Sequence, residues 1–358
     1  MRLRFSYNAH SLDWRLITTP LALTFFGLLL IYSLTWPEQN LFVRQIIFLI
    51  LGIAIFFGTQ FFDRHFWRNA SIILYALIII LLAGLLLFGE STRGTRGWIY
   101  IGPLSFQTAE FAKIAVVLFL STTLEKMHFD LVNARHLILA VAIVALPVGL
   151  TLLQPDFGSG FIIAAIGGVM ILFTGLNKSK LLASLLVLVF IGTVGWFGVL
   201  HDYQRQRVMT FMNPQIDPLG AGYNVRQAMV AIGSGGFWGR GLGLGTQSQL
   251  NFLPEQETDF IFASLAEELG FVGSFGILIL YVFLLWTIYS SIKQTRDLFA
   301  NFLLLGVFTM FLVQAMINIG MNMGLMPVTG VPLPLVSYGG SSLVVSFFAL
   351  GLVQNTRN

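Results

Sequence analysis

A carboxylate at the edge of an apolar run is the sharpest chemical signal in this chain. Asp259 follows Leu253-Pro254-Glu255-Gln256-Glu257-Thr258 and precedes Phe260-Ile261-Phe262. It therefore stands where a polar segment gives way to a stretch apolar enough to enter lipid. A carboxylate placed where the local dielectric falls becomes a better proton acceptor, which suits a general base. Asp259 or Thr258 would also serve as a helix N-cap, and the two roles are compatible. Glu110 and Lys113 are three apart, on one face of a helix. The apolar run Ile114 to Leu120 follows them. A lysine there is costly in lipid and must face a bundle or water. It is either half of a plain Glu–Lys pair or a cation offered to an anionic substrate.

Three arginines, Arg44, Arg93 and Arg96, sit in short segments between apolar runs. A pocket arginine grips phosphate through its planar fork, whereas an exposed pair with Glu38 or Glu90 would contribute little. Gln154-Pro155-Asp156-Phe157-Gly158-Ser159-Gly160 reads as a tight turn, with Asp156 capping the next helix or orienting a substrate hydroxyl. The run Met326-Pro327-Val328-Thr329-Gly330-Val331-Pro332-Leu333-Pro334 is followed by Ser337, Tyr338, Gly339, Gly340, Ser341 and Ser342. Broken helix with hydroxyls is tolerated at membrane depth only where it lines a cavity or packs in protein, so a polar cleft is expected here. The glycines from 235 to 245 lack the strand and the Gly-Lys-Ser/Thr of a phosphate loop and read as a tight, flexible loop. The five histidines are scattered, without metal-ligand spacing.

These groups must be positioned by apolar helices. The 358 residues are 56% hydrophobic and only 10% charged, where a soluble domain carries about 25% charged residues. Mean hydropathy is +0.82. A chain this poor in charge must set most of its surface against lipid. A helical span needs about 20 apolar residues, and ten segments meet that. They lie near 16–35, 42–62, 70–89, 108–126, 136–154, 158–176, 181–200, 260–289, 300–326 and 333–354. The runs are continuous rather than alternating, which excludes spanning strands. The fold expected is an all-α polytopic membrane protein of ten transmembrane helices. It forms a single domain over 1–358, with a large loop at 201–259 between helices 7 and 8. Within that loop, 203–211 and 223–232 have the spacing of amphipathic surface helices.

Lys and Arg set the orientation. With the N-terminus cytoplasmic, Arg2, Arg64, Arg68, Lys126, Arg135, Lys293 and Arg296 all fall inside. The short outer loops keep only Arg44, Arg93 and Arg96. Both termini are then cytoplasmic, and 90–107, 154–159, 201–259 and 326–334 face outward. The start of the chain lacks a small-residue cleavage pattern and reads as a retained anchor. The net charge of +4 is dispersed, so no nucleic-acid partner is expected. With no cysteines there is no thiol chemistry.

Several of these stretches together resemble the SEDS family, the shape, elongation, division and sporulation proteins. They are Gln107-Thr108-Ala109-Glu110-Phe111-Ala112-Lys113, Leu153-Gln154-Pro155-Asp156-Phe157-Gly158, Ala231-Ile232-Gly233-Ser234-Gly235-Gly236, Thr258-Asp259-Phe260-Ile261-Phe262, Ala266-Glu267-Glu268-Leu269-Gly270 and the Pro327 to Pro334 run. The resemblance extends from about the second span to the tenth, and the wording is closer to the RodA branch than to FtsW. Gly97 departs from it, standing where the family often has a basic residue before Trp98, and Thr108-Ala109 replaces a common Pro-Ser.

The resemblance implies a glycosyltransferase of the bacterial plasma membrane that polymerises lipid II into peptidoglycan during elongation and shape maintenance. Asp259 would be the base, and Lys113, Glu110, Arg96, Arg44, Asp156, Gln154 and Ser341 would bind substrate. It implies a class B penicillin-binding protein as partner, alongside other elongation-complex membrane proteins. No cofactor is required beyond, at most, a divalent cation (Mg2+ or Mn2+) at the pyrophosphate. The alternatives are a flippase for the lipid-linked precursor and a non-catalytic scaffold for the penicillin-binding protein. A flippase needs polar residues along a path on both faces, whereas here they gather outside.

Overall fold

A computed structural model of the chain describes residues 12–91, 94–102, 104–127, 133–174, 209–211, 220–250 and 252–357. The seventh expected span, the expected surface helix from 203 for most of its length, and Arg93 lie outside the described residues. In chain order the helices are α1 (Arg15–Leu34), α2 (Asn40–Gly58), α3 (Arg64–Phe88), α4 (Thr108–Lys126), α5 (Ala134–Leu153), α6 (Phe157–Leu172), α7 (Ala221–Gly235), α8 (Thr246–Gln249), α9 (Ile261–Gln294), α10 (Leu298–Asn322) and α11 (Gly340–Asn355). Nine of the ten expected spans coincide with helices. Six of these are long and apolar enough to cross a membrane, and α6 and α11 are shorter apolar helices.

Helix is what the composition dictates, because in lipid each backbone polar group must find its partner within the segment. Short polar residues mark the starts. Asp63, Asn133, Asp156 and Asp297 each accept from a backbone N–H in the first turn of α3, α5, α6 and α10. In α4, the hydroxyls of Ser121, Thr122 and Thr123 bond back to carbonyls four residues earlier, so this polar-laced helix leaves no hydroxyl facing apolar surroundings unpaired.

Burial separates the bundle into inner and outer helices. The apolar window of α10 is 72% buried and that of α3 only 17%. Ile72, Ile73, Leu77 and Ile80 of α3 are exposed and face lipid. The inner helices are α4, α10 and α11. Helix α10 packs on α4 and α6, α11 on α2, and α3 on α4. Arg68 and Glu125 pair at 2.8 Å where α3 begins and α4 ends, and Arg64 reaches Asp297 at the start of α10.

Two expectations change and one element is added. The last span was expected from 333, but α11 begins at Gly340, and 333–339 form a turn with Leu335 at φ 67°. Leu333, Leu335 and Val336 are buried within the protein, so their apolarity serves packing rather than lipid. Second, the segment before α4 folds as an antiparallel hairpin, β1 (Trp98–Ile101) and β2 (Leu104–Gln107), pairing Trp98 with Gln107 and Tyr100 with Ser105. Third, the glycine-rich stretch is packed rather than loose. A Cβ on Gly239 would lie 2.2 Å from the Glu268 carbonyl oxygen. The stretch wraps the kink of α9 at Gly270 (φ 66°), where Arg240 and Gly241 N–H donate to the Glu267 and Glu268 carbonyls.

Candidate functional site

Six pieces of chain converge on one cavity of about 750 Å3. They are the start of α2 with Leu41 and Arg44, the hairpin with Trp98, Tyr100, Ser105 and Gln107, and the α5–α6 turn with Asp156. The segment before α9 adds Glu255, Thr258 and Asp259. The loop 327–332 and the start of α11, with Tyr338, Ser341 and Ser342, complete the lining.

Local bonds explain why these pieces stay together. Asp156 has two tasks. Its Oδ1 caps α6 by accepting from Ser159 N–H at 3.0 Å, and its Oδ2 accepts from Gln107 Nε2 at 2.7 Å. Ser341 Oγ accepts from Gln107 N–H at 2.7 Å and donates to the Ser105 carbonyl, so the start of α11 holds the hairpin. Ser337 Oγ donates to the Thr258 carbonyl at 2.6 Å, and Tyr338 N–H donates to the Glu257 carbonyl. Gln45, buried beside Arg44, donates to the Ser337 carbonyl and accepts from Gly339 N–H. That fork fixes the first turn of α2 and therefore the base of the half-buried Arg44 side chain.

Asp259 is half-buried two residues before α9. The N-cap residue of α9 is Phe260, which makes no side-chain cap bond. The cap comes from α10: Asn322 Oδ1 accepts from Ala263 N–H at 3.1 Å. The cap position expected at Thr258 or Asp259 thus falls at the next residue, Phe260. The Asp259 Oδ2 lies 3.5 Å from where a Cβ on Gly330 would stand, so this carboxylate faces the 327–332 loop.

Of the eight residues expected at the site, the structure brings Asp259, Arg44, Asp156 and Ser341 to the cavity wall. Arg96 is exposed and off the lining. Gln154 is fully buried and donates through Nε2 to the Leu82 carbonyl at 2.7 Å. Glu110 and Lys113 are not lining residues either. They form a buried ion pair at 2.6 Å, with 0% of the Lys113 side chain exposed and 4% of Glu110. They continue the line of Gln107 down α4 at three-residue steps. A helical side chain leans toward the helix N-terminus, so Lys113 extends its ammonium toward the end of α4 that meets the cavity. Sequence reading missed the two aromatic rings of β1. Trp98 and Tyr100, two apart on one strand face, both line the cavity. It also missed Asn318 and Asn322 behind Asp259. The signal available for them was only a pair of asparagines four apart in an apolar helix.

The arrangement puts a carboxylate, an arginine fork, hydroxyls and aromatic rings into one partly apolar chamber. Such a chamber can take up a proton, hold an anionic leaving group and present flat surfaces to a sugar. Among the described residues, no group of three or more His, Cys, Asp or Glu could hold a metal ion.

A family model described as cell cycle protein, covering FtsW, RodA and SpoVE, matches residues 13–358. The chain is 38% identical over 347 residues to the peptidoglycan glycosyltransferase MrdB of Escherichia coli K12, covering 96% of this chain and 93% of that protein. It matches a chain from a peptidoglycan synthase complex that coordinates polymerization and crosslinking, with TM-score 0.82 and 32% identity over 97% of this chain and 98% of that one. It also matches the rod shape determining protein RodA of Thermus thermophilus, with TM-score 0.74 and 30% identity over 98% of each chain.

Proposed function

This chain belongs to the FtsW/RodA/SpoVE family of cell cycle proteins and is a membrane-embedded peptidoglycan glycosyltransferase, and we propose that it polymerises lipid II in the cavity around Asp259, with Asp259 as general base. The observation that carries this reading is the convergence of Asp259, Arg44, Asp156 and Ser341 on one cavity.

In the reaction, the acceptor GlcNAc 4-hydroxyl attacks C1 of the donor MurNAc. The new glycosidic C–O bond forms as the C1–O bond to the pyrophosphate breaks. The hydroxyl proton passes to the Asp259 carboxylate, and undecaprenyl pyrophosphate leaves with the bonding pair. Arg44 binds the pyrophosphate oxygens; the buried Glu110–Lys113 pair lies behind the wall on α4, and Lys113 reaches the pyrophosphate by leaving Glu110 when substrate binds. Asp156 orients a sugar hydroxyl, and Ser341 keeps the hairpin in place. Arg96 and Gln154 take part only as supports of the wall, through the Arg96 N–H to Gln154 carbonyl bond. A Mg2+ or Mn2+ ion at the pyrophosphate would be held by one or two of the lining carboxylates Asp259, Glu255 and Asp156 together with the phosphate oxygens.

The Lys and Arg bias places both termini in the cytoplasm and the cavity on the outer face of the plasma membrane. The Arg64, Arg68, Glu125 and Asp297 cluster, at the ends of α3, α4 and α10 remote from the cavity, supports that orientation. The whole chain is one SEDS membrane domain, with 201–259 as its outer loop. It works in elongation beside a class B penicillin-binding protein and other elongation-complex proteins. The likeness to a chain of a polymerizing and crosslinking complex supports that partnership. The test is lipid II polymerisation by the purified chain with its transpeptidase, beside a flipping assay in vesicles. Asp259→Asn should insert and fold but lose turnover by about 10²–10⁴-fold, the usual worth of a positioned base. Near-normal turnover would remove Asp259 from the role. Flipping without polymerisation would replace the enzyme with a transporter, and neither activity would leave a scaffold.

A further inference from the structure

Asn318 and Asn322 sit four apart on α10, both fully buried. Asn318 Nδ2 donates to the Asp259 carbonyl at 2.9 Å and to the Val331 carbonyl at 2.8 Å. Asn322 Nδ2 donates to the same Asp259 carbonyl at 3.0 Å and to the Asn318 carbonyl at 2.8 Å, while its Oδ1 receives Ala263 N–H. Carbonyls can only accept and Ala263 N–H can only donate, so the partners themselves fix both amide orientations. Two N–H groups from a rigid inner helix thus hold the main chain of Asp259. One of them also holds Val331, whose neighbours Gly330 and Pro332 line the cavity wall that the Asp259 carboxylate faces.

We propose that Asn318 and Asn322 are positioning residues for glycosyl transfer, setting the Asp259 carboxylate at a fixed distance from the 327–332 wall. The inference rests on the reading of Asp259 as base. Buried amides need partners wherever they lie, but stability alone does not require that both amides share one carbonyl at this position. A base displaced by about 1 Å can lose about 100-fold in rate, and the two amide bonds act on the main chain of the residue that carries it.

The experiment measures kcat and KM for lipid II, per folded molecule, with the transpeptidase partner bound. Asn318→Ser is too short to bridge Asp259 and Val331. Asn322→Asp keeps the acceptor for Ala263 N–H but loses the donor. Each variant is also combined with Asp259→Asn. The expected result is a fall in kcat of about 10- to 100-fold with KM within about twofold, and no further loss when Asp259 is already Asn, because residues acting as a unit are non-additive. Unchanged kcat, a loss carried by KM, a multiplicative double variant, or turnover lost only in step with folded protein would each overturn the proposal. Near-normal Asp259→Asn would sink the base reading itself. An inactive Asp259→Asn beside normal asparagine variants would sink only the positioning role.

Discussion

The Glu110–Lys113 pair is the place where stability and function can be pulled apart. On an exposed helix surface, a pair three apart is worth about 0.2–0.5 kcal/mol. Here both side chains are essentially sealed, at 0% and 4% exposure, and the bond is 2.6 Å, so a different scale applies. Removing one partner of a buried pair strands the other charge at a cost of about 3–5 kcal/mol, while replacing both by apolar or neutral groups of similar volume is about neutral or even stabilising. Lys113→Met and Glu110→Gln should therefore each lower the melting temperature in detergent, and the double variant should restore it. A pair that an uncharged pair could replace without loss of stability is retained for another reason, and a charge at this depth marks function. The double variant should consequently melt like the wild type yet fail to polymerise lipid II. An active double variant would eliminate Lys113 as a pyrophosphate ligand. Single variants that melt normally would refute the buried-pair energetics.

Two further outcomes follow from the geometry. Arg44→Lys keeps the charge but loses the fork, so KM for lipid II should rise by about tenfold or more, a hydrogen bond to a charged group being worth about 1.5–3 kcal/mol; an unchanged KM would place the pyrophosphate elsewhere. Gly239→Ala should cost at least about 1–3 kcal/mol in a thermal melt, since its φ of 84° is disfavoured for a side chain and the new Cβ would lie 2.2 Å from the Glu268 carbonyl oxygen. Gly276→Ala in α9 meets nothing within 4 Å and should melt at or above wild type.

Legibility followed the source of each signal. Apolar runs bounded by caps are written locally, so α1 to α6, α9 and α10 could be drawn from sequence, although α3 begins at Arg64 rather than 70 and α9 runs on to Gln294 rather than 289. The turn at 333–339 could not. Buried Leu333, Leu335 and Val336 look like lipid-facing residues, and only the tertiary structure shows that they pack inside. The hairpin escaped because its strands are four residues each, too short for alternation to stand out beside neighbouring helices. The glycines near 239 were seen but given the wrong reason. Their freedom serves close approach to the α9 backbone, and that partner is some thirty residues away in sequence.

The site divides along the same line. Asp259, Arg44 and Asp156, which line the cavity, stood out in sequence because each is a charge at the edge of an apolar run, a local anomaly that sequence displays. Gln154 was expected to touch substrate and instead spends its amide on the Leu82 carbonyl. Gln45, Asn318 and Asn322 went unseen for the complementary reason. Each acts on backbone atoms of a distant segment, and a backbone carbonyl carries no side-chain type that a pattern could match. Asn318 reaches Asp259 across 59 residues and Gln45 reaches Ser337 across 292. The polar side chains retained inside the bundle have several uses: some line the cavity, some hold the main chain of lining segments, as Asn318 does, and some bond the backbone of their own or a neighbouring helix, as Ser121 and Gln154 do. Sequence reveals that such residues are costly, and only the fold tells which use each one has.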